Sequence, residues 1–106
     1  MNPFQRALER RQLDRRFLYF LQSLEEYDVF VAIGAHQDAK PLTIKALCTL
    51  KLSPDRTLRR IVERLRERRI VLRRRSLWDT RTYQLRIADK FSAMFLKHQQ
   101  ALKAAL

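Results

Sequence analysis

A single glycine, Gly34, serves all 106 residues of this chain. Tight turns between strands need residues that accept positive φ, and glycine alone does so without steric cost. With one glycine and three prolines, the chain lacks the punctuation of a many-stranded sandwich or barrel. The expected fold class is mainly α with a small β-hairpin (α+β). Hydrophobic residues at 46% suffice for one core, and the length suits one domain, expected to span residues 1–106.

Composition also excludes several kinds of chemistry. With one glycine there is no glycine-rich phosphate loop, and no Ser or Cys sits in a nucleophile motif, so no catalytic residue and no enzymatic activity are expected. Cys48 has no partner for an internal disulfide, and His36 and His98 lie far apart, so neither a zinc site nor any other metal or cofactor is expected. Cys48 reads as a small buried residue in a reducing compartment, His36 as a loop residue and His98 as a surface helix residue. The longest apolar stretch, Val29 to Ala35, is too short to span a bilayer, and the N-terminus has no signal-peptide core. A cytoplasmic chain without a membrane partner is expected.

Lys and Arg total 23 against 11 Asp and Glu, a net charge of +12, and 17 of the basic residues are Arg. The excess is concentrated. Residues 51–86 carry 13 basic and four acidic side chains, a net +9, whereas residues 17–50 are net −2. An even spread would speak only for solubility; concentration in one third of the chain points to one docking face for a polyanion.

Local signals divide the chain into elements. Residues 3–26 open on Pro3 and place Phe4, Leu8, Leu13, Phe17, Phe20, Leu21 and Leu24 at mostly helical intervals, which predicts one long amphipathic helix. Its second half, Phe17 to Leu21, is too apolar for one helix face to bury, so a partner surface is implied. Val29 to Ala35 reads as a short buried helix stopping near Gly34 to His36, with a strand as the rival because Val-Phe-Val-Ala-Ile is β-rich. Thr43 is a plausible N-cap for a two-turn helix carrying Ile44, Leu47, Cys48 and Leu50. Ser53-Pro54-Asp55 predicts the next helix, with Ser53 as N-cap, Pro54 at the first helical position and Asp55 against the positive end of the dipole. Leu58, Ile61, Val62 and Leu65 form its apolar stripe, and at about 100° per residue Arg56 and Arg60 point almost directly away. Residues 70–72 and 82–87 are β-prone and read as a hairpin whose arm and tip carry Arg73, Arg74, Arg75 and Arg81, with Trp78 anchoring it to the body. A last helix opens at Asp89 and carries Phe91, Phe95, Leu96, Leu102 and Leu106.

The stretches Pro-Leu-Thr-Ile-Lys-Ala-Leu (41–47) and Leu-Ser-Pro-Asp-Arg-Thr-Leu-Arg-Arg-Ile-Val-Glu-Arg-Leu-Arg-Glu-Arg-Arg-Ile-Val (52–71), followed by Asp79-Thr80-Arg81, resemble the MarR group of bacterial transcriptional regulators over residues 27–90. The resemblance implies a winged helix-turn-helix fold with core 27–88, flanked by helical extensions 1–26 and 89–106. It implies a recognition helix, 54–69, in the major groove of double-stranded DNA, and a wing, 70–87, on the adjacent minor groove or backbone. It further implies Arg81 as a minor-groove or phosphate contact oriented by Asp79, a location in the bacterial cytoplasm or nucleoid, and a homodimer formed by the terminal helices. The dimer candidates are Phe4, Leu8, Phe17, Phe20, Leu21, Phe91, Phe95 and Leu102. The family usually has glycine where this chain has Arg69, and this chain ends sooner than members of usual length.

The chemistry of the basic residues supports the same reading without the family. Guanidinium forks bond bidentately to guanine O6 and N7 and to phosphate, so Arg56 and Arg60 suit base edges while Arg73, Arg74 and Arg75 suit the backbone; Arg59 and Arg64 are further DNA-binding candidates. Thr57 lies beside the outward face and suits a thymine methyl or a phosphate, and a helix start at Ser53 can itself hold a phosphate. The alternative for the helix is a solvated face neutralised by Glu63 and Glu67. The alternative functions are non-selective nucleic-acid handling in replication, packaging or RNA binding, and a winged-helix protein-interaction module. A small-molecule effector is compatible with the chain, but nothing in it indicates one.

Overall fold

A computed structural model describes residues 2–77 and 81–105. The chain forms two compact units, one from residues 1–22 and 89–106 and the other from residues 23–88. In order along the chain lie α1 (Pro3–Phe17), α2 (Leu24–His36), α3 (Ile44–Thr49), α4 (Asp55–Glu67), β1 (Val71–Arg75), β2 (Tyr83–Ile87) and α5 (Asp89–Ala105).

The first unit pairs α1 with α5. Asn2 caps α1 reciprocally with Gln5: each backbone N–H donates to the other's side-chain oxygen at 2.8 Å, and Pro3 takes the first helical position. The helix predicted to run to residue 26 ends at Phe17. A new one begins at Leu24 because the Ser23 hydroxyl accepts the Glu26 N–H at 3.1 Å and Glu25 and Glu26 meet the positive end of its dipole. Between them the chain leaves helical geometry, and Leu18 and Phe20 become buried, with the Phe20 ring 4.6 Å from Phe91. Within the apolar run that implies a partner surface, Leu18 and Phe20 are thus covered by their own chain, while Phe17 and Leu21 are half-buried and Tyr19 is exposed.

His98 on α5 is not the surface residue expected; it is 2% exposed. Its Nδ1 accepts from the Gln99 amide at 3.0 Å, which leaves the proton on Nε2 to donate to Asp14 Oδ1 at 2.7 Å. The Phe95 ring stacks on the imidazole and Phe17 meets it edge-on. One hydrogen bond therefore ties α1 to α5 inside an aromatic setting.

The second unit packs α2, α3 and α4 beside the hairpin. Val29, Phe30 and Ile33 are buried along α2, so the β-rich run is helical. The helix continues through Gly34 to His36, whose Nδ1 lies 2.9 Å from the Ala32 carbonyl. Thr43 caps α3, its hydroxyl accepting the Ala46 N–H at 3.1 Å. Helix α4 starts one residue later than predicted. Pro54 occupies the N-cap position without a side-chain cap, Asp55 is the first helical residue, and Ser53 is not the cap. Proline's fixed φ and missing N–H suit the extended residue before the helix as well as the first residue within it. Leu58, Ile61, Val62 and Leu65 are buried, each contributing about 2 kcal/mol of apolar burial.

The exit from α4 is a Schellman turn. Arg69 N–H donates to the Arg66 carbonyl and Ile70 N–H to the Leu65 carbonyl, both at 2.9 Å, while Leu65 and Ile70 are both fully buried. Arg69 therefore sits at φ 59°, and Lys51 beyond α3 at φ 57°. The chain makes its left-handed turns with Arg and Lys and spends its glycine inside α2. Two exchanges should accordingly stabilise it. Arg69→Gly removes left-handed strain; Gly34→Ala adds helix propensity, and the new Cβ would lie an ordinary 3.7 Å from Ile87 Cγ1. Each should raise the unfolding free energy in urea by about 0.5–1 kcal/mol. A loss in either variant would contradict the turn geometry or the space beside Gly34.

β1 and β2 pair antiparallel, with Val71 opposite Ile87 and Arg75 opposite Tyr83. Leu85 N–H donates to the Leu42 carbonyl at 2.8 Å and Ala88 N–H to the Ile70 carbonyl at 2.9 Å, fixing the hairpin to its own unit. Arg73, Arg74 and Arg75, expected on the arm and tip, belong to the paired strand itself.

Candidate nucleic-acid interface

Helix α4 presents its charge because its apolar stripe is fully used. Arg56, Arg59, Arg60 and Arg64 are exposed and Thr57 is half-buried. The one ion pair formed within this helix among the described residues joins Arg66 to Glu63 at 2.9 Å, leaving Arg56, Arg60 and Arg64 without carboxylate partners there. Internal neutralisation of the outward arginines by Glu63 and Glu67 is therefore not what the helix does. Ser53 is half-buried in the turn before α4.

The position of α4 is set at its far end by a buried acid. Glu26, 3% exposed, receives Arg68 through two bonds, Nη2 to Oε1 at 2.9 Å and Nη1 to Oε2 at 3.3 Å. This fork joins the start of α2 to the end of α4 across 42 residues of sequence. Neither residue stood out in the sequence, since a lone Glu after a helix cap and one Arg among many carry no pairing signal.

The hairpin uses its two faces differently. Alternation along β1 places Arg73 and Arg75 on the side of Val71, with Tyr83 opposite Arg75. Their guanidinium carbons lie 4.2 and 5.2 Å from the Tyr83 ring centre, and Arg75 Nη2 donates to the Tyr83 hydroxyl at 2.8 Å. The tyrosine thereby holds two cations in place. Arg74 stands on the opposite face, beside Gln84 and Arg86. Arg81 is exposed at the start of the returning arm. Asp79 and Trp78 lie outside the described residues.

Of the residues predicted for dimer formation, Phe4 and Leu8 are 86% and 59% exposed, Phe20 is buried in its own chain, and Phe17, Leu21, Phe91, Phe95 and Leu102 are half-buried. Cys48 is buried in α3; desolvation pushes its thiol up from the ordinary value, the Asp55 carboxylate adds to this and Arg59 opposes it. A protonated, covered thiol is a packing residue. The described residues hold no cluster of His, Cys, Asp or Glu suited to a metal, and no helix there is long and apolar enough to cross a membrane.

Three helices, a basic fourth element in helix-turn-helix relation to the third, and an Arg-lined hairpin define an architecture with known counterparts. The S. aureus MepR–DNA complex shares it at a TM-score of 0.68 and 18% identity, over 94% of this chain and 79% of that one. MarR aligns at 0.59 and 17%, over 96% and 79%, and a probable transcriptional regulator from Pseudomonas aeruginosa at 0.56 and 17%, over 96% and 80%. The chain has the MarR-type winged-helix fold. No protein-family model and no curated protein matches its sequence. Within this fold α3 and α4 are the helix-turn-helix pair, β1 and β2 the wing, and α1 and α5 the flanking helices.

Proposed function

We propose that this chain is a transcriptional regulator rather than an enzyme, binding double-stranded DNA as a homodimer with α4 in the major groove and the wing on the adjacent minor groove or backbone. The observation that carries this reading is the outward row Arg56, Arg60 and Arg64 on a helix whose opposite side is wholly buried. An unneutralised row of guanidiniums on a rigid helix suits base edges and phosphates. MepR, which has the same fold, has been solved with DNA. Arg59, Thr57 and Ser53 flank the row as backbone contacts, Arg73, Arg74 and Arg75 neutralise phosphates from the wing, and Arg81, oriented by Asp79, enters the minor groove or contacts phosphate. Phe4 and Leu8, too exposed to stand alone in water, join Phe17, Leu21, Phe91, Phe95 and Leu102 across the dimer axis.

Selection from a random duplex library at about 150 mM salt, with single-stranded RNA as competitor, tests the reading because salt removes the purely electrostatic contribution. Enrichment of a palindrome with half-sites about one helical turn apart is expected. Binding without enrichment would favour non-selective nucleic-acid handling, and absence of binding would favour a protein-docking role for the basic face.

A further inference from the structure

The wing face that continues the buried core ends in an aromatic ring. Val71 lies opposite Ile87 and Arg73 opposite Leu85, and Val71, Leu85 and Ile87 are all fully buried. One step further out, Arg75 lies opposite Tyr83, which is half-buried. Strand alternation puts Arg73, Arg75 and Tyr83 on this one face, with Tyr83 diagonal to Arg73 across the ladder and within reach of a long side chain. The ring is seated at the margin of the core, while both arginines are exposed.

The two arginines use the ring differently. Arg75 engages its hydroxyl end, Nη2 donating to the phenol oxygen at 2.8 Å with the guanidinium carbon 5.2 Å from the ring centre. Arg73 makes no such bond; its guanidinium carbon lies over the ring at 4.2 Å from the centre. Arg73 has neither an ion pair nor a hydrogen bond from its side chain to a described residue. The ring therefore restrains Arg73 without neutralising it or occupying its N–H donors. A long side chain that is already held loses less freedom on binding than one that is not. Arg74, on the opposite face, has no ring contact among the described residues and supplies the comparison within the same strand.

We propose that Tyr83 is a positioning residue for DNA binding: its ring holds the Arg73 guanidinium ready for the nucleic-acid backbone, and Arg75 fixes the phenol that does so. This role rests on the reading of the wing as a DNA-contacting element. It ranks the wing arginines, with Arg73 ordered before binding and Arg74 ordered only by it. Because the ring already carries guanidinium groups, Tyr83 does not serve as a stacking platform for an unpaired base, which is what a partly exposed tyrosine on a basic strand does in a single-strand binder.

A double-mutant cycle on a random-sequence duplex, followed by fluorescence anisotropy over a range of salt, tests this role. Tyr83→Leu is expected to weaken binding about fivefold, the cost of ordering one long side chain. The logarithmic salt slope should keep its wild-type value, since no charge is lost. In an Arg73→Ala background the same substitution should cost less than about 1.5-fold, and in an Arg74→Ala background its full fivefold. A tyrosine that only supported the hairpin would weaken binding equally in both. Tyr83→Phe, which keeps the ring, should recover at least half of the loss on a logarithmic scale. Arg73→Lys retains the charge but lacks the planar group that stacks, so it should match the Tyr83→Leu loss; at an exposed position, it serves if Tyr83→Leu does not fold. Equal losses in the two alanine backgrounds, or wild-type affinity in both Tyr83→Leu and Arg73→Lys, would overturn the positioning role and leave the DNA reading intact. A wild-type chain that binds no duplex would overturn both.

Discussion

Arg68→Ala is expected to lower the unfolding free energy by about 3 kcal/mol, among the largest losses available to a single polar substitution in this chain. The Glu26 side chain is 4% exposed while Arg68 is 28% exposed. Removing the guanidinium takes a two-bond partner from a carboxyl group in a site from which water is mostly excluded, and desolvation that the fork offsets is then offset less. The partial exposure of Arg68 keeps the loss at the low end for buried pairs, because water can enter the space it leaves. Urea unfolding followed by circular dichroism measures the effect. The double substitution Glu26→Leu, Arg68→Leu should recover most of the loss, since the cost lies in a buried polar group deprived of its fork rather than in the absence of the bond. A single-variant loss under 1 kcal/mol would show that the pair is effectively solvated. Because the fork joins α2 to the end of α4, Arg68→Ala should also loosen α4 and weaken DNA binding below the unfolding transition.

Arg56→Ala combined with Arg60→Ala is expected to weaken binding to the selected DNA sequence by at least 100-fold and binding to random duplex far less. Each bidentate contact to guanine is worth about 1–3 kcal/mol of discrimination, and the two side chains share one outward face one helical turn apart. Arg73→Ala, by contrast, should weaken both kinds of DNA alike and lower the salt slope by about one. Fluorescence anisotropy at two salt concentrations separates the cases. Equal losses on selected and random sequence from the Arg56, Arg60 variant would place both residues on the backbone and leave base reading to other residues. The unfolding free energy of this variant should change little, since both side chains are exposed and unpaired among the described residues.

Much of this architecture is legible in the sequence, and each miss has its own physical cause. The stripe Leu58, Ile61, Val62 and Leu65 and the outward Arg56 and Arg60 followed from helical periodicity alone. The Thr43 cap followed from a hydroxyl just before an apolar-periodic run, and the hairpin from two β-prone runs. The helix start at Ser53 was misplaced by one position because Pro54 suits either side of the boundary. The continuous helix over residues 3–26 failed because apolar periodicity extended across a junction that is decided by the Ser23 cap and by burial of Leu18 and Phe20. Val29 to Ile33 could be read as helix or strand from β-branched content. It became helix because its surroundings bury one face at helical spacing.

Sequence by itself determined elements held by neighbours within a turn or two: the Thr43 cap, apolar stripes, strand alternation and the concentration of charge in residues 51–86. These depend on interactions over three or four positions, which a linear reading can see. Only the tertiary structure decided that Glu26 meets Arg68, that Gln37 holds Ile87 across 50 residues, and that Asp14 receives His98 across 84. Such pairs form because packing of apolar faces brings distant polar groups into low-dielectric surroundings, where each must find a partner, and no local pattern records which partner that is.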